Sequence, residues 1–122
     1  PNALVFDDAG RLPPPYQGGA FIAMHGSWNR APLPQAGYSV EFLPFSTDGP
    51  SGAARTLVGG FAGDKEIHQP GAARYRPSGL AIGPDGSLYV SDSQQGRIWR
   101  IVASHPSIRT TFPPPTRPAA GD

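Results

Sequence analysis

The fold is decided by the stretch GLAIGPDGSLYVSD, residues 79–92. Apolar residues alternate with small or polar ones on both sides of Gly83-Pro84-Asp85-Gly86, which is typical of half-buried strands joined by a tight turn. Glycine supplies the positive φ that such turns need, and aspartate hydrogen-bonds its own backbone. A third apolar segment, Arg97–Val102, follows a polar turn at Ser93–Gly96. The stretch therefore predicts a three-stranded antiparallel meander.

The rest of the chain shows the same organisation. Gly and Pro number 16 each, but the prolines cluster at Pro13–Pro15 and Pro113–Pro115, which favours turns between strands over general disorder. Before Pro106, no segment of ten or more residues has the apolar spacing of a helix. The predicted strands are Ala3–Phe6, Ala20–Met24, Tyr38–Phe45, Arg55–Phe61, Gly79–Gly83, Ser87–Ser91 and Arg97–Val102.

A weak internal repeat indicates the architecture. An apolar strand that ends in a polar residue occurs at Phe21–His25 and again at Leu88–Asp92. Repeated four-stranded antiparallel sheets form β-propeller blades, and the loops Ala31–Gly37 and Ala62–Pro77 account for a repeat longer than the usual ~40–50 residues. We predict an all-β fold with about two antiparallel blades over residues 1–103 and a flexible Pro-rich tail over residues 104–122.

The second predicted blade lacks a fourth strand, and a propeller takes ~4–8 blades. We therefore expect this chain to be the C-terminal part of a larger propeller. The longer protein that would contain this chain is called the full-length protein.

Composition excludes several functional classes. The net charge is +1 and no basic stripe is visible, so nothing favours nucleic acid as a partner. Cysteine is absent, which excludes a thiolate nucleophile and cysteine-ligated metals. No apolar run reaches the ~18 residues that a membrane span needs. The histidines, His25, His68 and His105, are too far apart in the sequence for a local zinc motif.

The hexapeptide His25-Gly26-Ser27-Trp28-Asn29-Arg30 follows a predicted strand, where a rigid sheet presents side chains to ligands. Its imidazole, indole, amide and guanidinium suit a flat, anionic ligand. His25, Trp28 and Asn29 are therefore candidates for lining a site. A structural alternative exists for each, since a histidine at a strand end is often a hydrogen-bonded structural residue. Tryptophan commonly packs, and asparagine caps turns.

A second candidate is Arg74-Tyr75-Arg76, at the end of a long loop. Residues two apart on an extended chain point the same way, so both guanidiniums are expected to converge on one carboxylate-bearing ligand. The alternative is a pair of solvated surface arginines. Asp92 follows a strand and is predicted to cap the turn after it.

These segments together resemble the C-terminal part of the glucose/sorbosone dehydrogenase family. The resemblance covers roughly residues 15–102. Its most specific segment is FIAMHGSWNR at residues 21–30, and the other matching segments are GYSV at 37–40, PF at 44–45, RPSGLA at 76–81, GPDGSLYVSD at 83–92 and GRIWRI at 96–101.

The resemblance implies a six-bladed propeller that binds pyrroloquinoline quinone (PQQ) together with calcium and oxidises a sugar by hydride transfer to the quinone. The catalytic histidine base and most calcium ligands are expected upstream of this segment. Arg74 and Arg76 match the family's Arg-x-Arg pair near the cofactor carboxylates, and Arg30 falls near a cationic position of some members. His25 is expected at the mouth end of an inner strand. A periplasmic or extracellular location is also implied.

An alternative function is a non-catalytic propeller module that binds a protein or a glycan. It rests on the generic meander and on the lack of a catalytic residue in this segment. The upstream sequence distinguishes the two, since a dehydrogenase needs the base histidine and the calcium carboxylates there. In either case we expect this chain by itself to be inactive, because the other walls of the site are missing.

Overall fold

The computed structural model describes residues 1–8 and 10–104, and the predicted all-β class is confirmed. The predicted tail falls, apart from its first residue, outside the described part, so that division of the chain stays a prediction. Within the described part there is no α-helix, only 3-10 turns at Pro14–Tyr16 and Pro70–Ala72. The strands are β1 (Ala3–Phe6), β2 (Gly19–Met24), β3 (Ser39–Ser46), β4 (Gly49–Pro50), β5 (Arg55–Val58), β6 (Pro77–Ile82), β7 (Leu88–Asp92) and β8 (Ile98–Ile101).

The first sheet is an antiparallel meander in which β2 lies between β1 and β3. The long strand β3 pairs with β5 along its first half and with the short strand β4 at its far end. The sequence did not predict β4, because a Gly-Pro pair indicates a turn. Strand β5 ends at Val58, three residues earlier than predicted, before Gly60 with its positive φ of 81°.

The second sheet is the three-stranded meander β6-β7-β8, as the opening stretch predicts. Its first turn is closed by bonds from Gly83 N to Ser87 O at 2.9 Å and from Gly86 N to Gly83 O at 2.9 Å. Hydrogen bonds from Ser87 and then from Arg100 lower the pKa of Asp85 to about 2. No fourth strand pairs with this sheet among the described residues.

The core lies between the two sheets and follows from the alternation along the strands. Phe21, Val40 and Phe42 of the first sheet and Leu88 and Val90 of the second are almost completely buried. The opposite faces carry exposed apolar side chains, among them Leu4 and Ile98.

The packing of the sheets brings three strand ends together. Both β1 and β2 contact β6. The residue that follows β2, the residue that precedes β6 and the last residue of β7 consequently meet at one end of the core. These are His25, Arg76 and Asp92, in that order.

Candidate functional site

Arg76 joins the two sheets at this end. It is only 8% exposed. Its Nε donates to the carbonyl of His25 at 3.1 Å and its Nη2 to the carbonyl of Gly26 at 3.4 Å. The guanidinium carbon lies 5.8 Å from the centre of the Tyr38 ring, within the range of a cation–π contact. Arg76 thus holds the start of the hexapeptide against the second sheet.

Asp92 fixes the backbone that carries Arg76. Its Oδ1 accepts from Arg76 N at 2.6 Å and from Gln94 N at 2.9 Å, and its Oδ2 accepts from Gln95 N at 2.7 Å. Burial acts to raise the pKa of this carboxyl, but hydrogen bonds from surrounding backbone N–H groups outweigh burial and keep the pKa below its ordinary value. The predicted turn cap is confirmed. The bond to Arg76 is an addition that the sequence did not indicate.

The lowered pKa of Asp92 makes its hydrogen bonds to the backbone sensitive to acid. A carboxylate with a lower pKa in the folded state stabilises the fold above its unfolded pKa of ~3.9, and this contribution is lost as the pH falls through the folded pKa. We expect Asp92→Asn to lower the stability of the full-length protein by roughly 1–3 kcal/mol at pH 7. The deficit should shrink below pH ~4. Thermal unfolding between pH 7 and pH 3 measures both.

Asp48→Asn is the matched control, because Asp48 is exposed in the hairpin between β3 and β4. It should leave the unfolding midpoint nearly unchanged at every pH. An Asp92→Asn deficit of the same size at pH 3 and pH 7 would contradict the assignment.

His25 is tied to the second sheet by its ring as well as by its carbonyl. Its Nε2 lies 2.8 Å from Oγ of Ser93, in the turn after β7. Burial and the charge of Arg76 lower the pKa of His25, whereas Asp92 acts to raise it. The ring is therefore neutral near pH 7. We expected His25 at the end of an inner strand. The strand before it, β2, lies instead between β1 and β3, in the middle of its sheet.

The loop that carries the hexapeptide is internally braced. Ser27 N donates to Ala36 O at 2.8 Å, and Ser27 Oγ accepts from Ala36 N at 2.9 Å. The Ser27 hydroxyl also donates to Oε1 of Gln35 at 2.6 Å, and the Tyr38 hydroxyl donates to Ser27 O at 3.2 Å. The loop is consequently held at both of its ends.

The other candidates of the hexapeptide lie on the surface of this loop. Trp28 is 78% exposed and Asn29 is exposed, so neither packs in the core of the described part. Arg30 is also exposed, and its Nε donates to Pro34 O at 2.8 Å. Arg30, Ser27 and Gly37 are among the residues that line a cavity of about 290 Å³.

Arg74 and Arg76 have different surroundings. Arg74 is exposed, and its guanidinium carbon lies 5.4 Å from the centre of the Tyr75 ring. Tyr75 and Arg76 are consecutive and both buried, so simple alternation does not describe this segment. The convergence of both guanidiniums on one anion stays a prediction.

Two residues of the site carry weak sequence signals. Ser93 lies in a polar turn and looks like any turn serine. Tyr38 is buried and has a positive φ of 61°, which is uncommon for a residue other than glycine. The sequence signal for Tyr38 is its position between Gly37 and the start of β3, where the chain turns into a strand.

Comparisons with known proteins identify the family of this chain. A family model described as TrAA12-like matches residues 1–104. The chain belongs to the TrAA12-like family. Two relatives of this TrAA12-like chain are named pyrroloquinoline quinone-dependent pyranose dehydrogenase, one from Coprinopsis cinerea and one from its strain Okayama-7. Each is 34% identical over 94 residues, which cover 66% of this chain and 13% of the relative.

A solved structure named glucose dehydrogenase shares the fold of the TrAA12-like chain. The TM-score is 0.52 at 21% identity, and the likeness covers 84% of this chain and 25% of that one. It supports the assignment of the two sheets to propeller blades. The resemblance to PQQ-dependent sugar dehydrogenases, stated above from the sequence, is confirmed by the family and the named relatives.

The described part of the TrAA12-like chain has neither a cluster of candidate metal ligands nor a membrane-spanning helix. Over residues 1–8 and 10–104, no three or more histidine, aspartate or glutamate side chains are grouped so that they could hold a metal ion. In the same part of the chain, no helix is long and apolar enough to cross a membrane.

Proposed function

We propose that this chain is part of a PQQ-dependent sugar dehydrogenase that oxidises an aldose or a related sugar. The observation that carries the proposal is the junction at Arg76, where a buried guanidinium holds a loop that itself presents an arginine and a neutral histidine. The relatives are named for this activity, but the chain spans only 13% of their length. The activity therefore belongs to the full-length protein.

The donor set of the described residues fits PQQ, which is planar and carries three carboxylates. A guanidinium has five N–H donors, and two of those of Arg76 are directed to carbonyls, which leaves three for a ligand. Arg74 and Arg30 are two further cations, and both are exposed. Asp92, the acidic group beside Arg76, is engaged by backbone N–H groups and does not compete for the guanidinium.

We assign the roles as follows. Arg76, Arg74 and Arg30 bind the carboxylates, and Arg–carboxylate pairs fix orientation as well as affinity. His25, Trp28 and Asn29 line the site. When bound, PQQ would supply the hydride acceptor for sugar oxidation. The base that would remove the hydroxyl proton is expected in the upstream part of the full-length protein.

Calcium does not fit the described residues, which offer no suitable group of ligands. If the full-length protein uses calcium, the ligands come from its other blades. We further propose a periplasmic or extracellular location, on the resemblance to the family alone.

The test is the activity of the full-length protein freed of cofactor. Sugar oxidation with an artificial electron acceptor should be absent without PQQ and should appear when PQQ is added. A panel of pyranoses, with glucose among them, identifies the substrate. If added PQQ and calcium restore no oxidation of any sugar, the second candidate, a propeller that binds a partner without catalysis, becomes the better account.

A further inference from the structure

The contact between the imidazole of His25 and the hydroxyl of Ser93 links the two sheets and bears on the state of the histidine ring. His25 follows β2 and Ser93 follows β7, so their 2.8 Å contact crosses from one sheet to the other. Neither residue needs the other for its own turn, because Ser27 and Asp92 already close those turns.

Ser93 is held firmly enough to orient a partner. Its backbone N donates to Arg76 O at 3.1 Å. The residue before it, Asp92, is fixed by three backbone N–H groups. The serine hydroxyl is therefore the part of Ser93 that remains to rotate.

His25 is held at the other end of the contact. Arg76 donates to its carbonyl, and the loop beyond it is braced through Ser27. Since the ring's Nε2 faces Ser93, and no described residue is hydrogen-bonded to Nδ1, the second ring nitrogen is left for a ligand. Which nitrogen carries the hydrogen is then decided by the serine.

We propose that Ser93 is a positioning residue that donates its hydroxyl hydrogen to Nε2 of His25, so that the neutral imidazole carries its hydrogen on Nδ1 and offers it to an acceptor oxygen of the ligand. A hydroxyl can donate or accept a hydrogen bond. If it donates to one nitrogen of a neutral imidazole, that nitrogen is the acceptor and the other nitrogen carries the hydrogen. The ligand class rests on the proposed function, because the carboxylate and carbonyl oxygens of PQQ are acceptors and need a donor at Nδ1.

The test reads the tautomer directly, without cofactor or sugar. The full-length protein is labelled with ¹⁵N in its histidine side chains, and His25 is assigned by comparison with His25→Gln. At pH 7.5 we expect the hydrogen of wild-type His25 on Nδ1. Ser93→Ala should move most of the population to the Nε2–H form, and Ser93→Thr should keep the wild-type state. Ser46→Ala, a serine in the distant hairpin, is the matched control.

A wild-type ring with its hydrogen on Nε2, or a tautomer that Ser93→Ala leaves unchanged, would overturn the proposal. If Ser93→Ala does not fold, the wild-type and Ser93→Thr spectra still decide. The second measurement is the Kd for PQQ, which Ser93→Ala should raise roughly 2- to 10-fold, the value of one hydrogen bond. If PQQ does not bind even the wild type, the proposed function fails while the tautomer result stands.

Discussion

Gly26→Ala is expected to lower the stability of the full-length protein by roughly 2–5 kcal/mol. Two costs add at this position. Gly26 has a φ of 103°, where a side chain costs roughly 1–2 kcal/mol. A Cβ there would also overlap the buried ring of Tyr38, and relieving such overpacking costs typically ~1–3 kcal/mol. The denaturant midpoint of unfolding measures the sum.

Gly49→Ala separates the two costs. Gly49 has a φ of 122°, but a Cβ built there meets nothing within 4 Å. This variant should lose only the conformational part, roughly 1–2 kcal/mol. If both variants lose the same stability, the close packing of Gly26 against Tyr38 is not a constraint and our description of the loop is wrong.

Arg76→Ala should destabilise the full-length protein by roughly 2–4 kcal/mol, whereas Arg74→Ala should cost less than about 1 kcal/mol. Arg76 is buried and donates to two carbonyls that would be left without this donor, and a hydrogen bond to a charged group is worth roughly 1.5–3 kcal/mol. Arg74 is exposed and stacks on one ring, which is worth about 0.5–1 kcal/mol. Chemical denaturation of the two variants, whose substituted residues are two positions apart in the chain, compares their free energies of unfolding.

Equal losses for the two arginines would contradict the inter-sheet role of Arg76. Arg74→Ala also tests the binding role of Arg74 apart from the fold. If Arg74 binds the cofactor as proposed, this variant weakens PQQ binding at a stability cost of less than about 1 kcal/mol. An affinity for PQQ equal to that of wild type would contradict this role.

The sequence was sufficient for the fold because strand burial has a period of two and turns need particular residues. The 79–92 stretch specifies both strands and their turn, and the structure contains all three. Strand ends were less predictable. β5 stops at Val58, before the predicted end at Phe61, because two glycines follow and Gly60 has a positive φ.

The site was predictable only in part. The hexapeptide and Arg76 were identified, and they do meet. The contact itself was not predicted, because the Arg76 guanidinium reaches the carbonyls of His25 and Gly26 only when β2 and β6 pack. Side chains two residues apart on an extended chain point the same way, which predicted the same environment for Arg74 and Arg76. In the structure, three consecutive residues from Tyr75 to Pro77 are buried, so this segment is enclosed on both sides. Burial of that kind depends on the neighbouring sheet.

The most direct test of the account is the affinity of the full-length, cofactor-free protein for PQQ, by isothermal titration, in wild type and in the Arg74→Ala plus Arg76→Ala variant. Each charged hydrogen bond is worth roughly 1.5–3 kcal/mol, so the double variant should bind at least ~100-fold more weakly. Arg11→Ala is the control, since Arg11 contacts the backbone of Asp85 at the opposite end of the second sheet. It should bind like wild type. Unchanged affinity in the double variant, with the fold retained, would contradict the assignment of these arginines, and no binding by the wild type would contradict the proposed function itself.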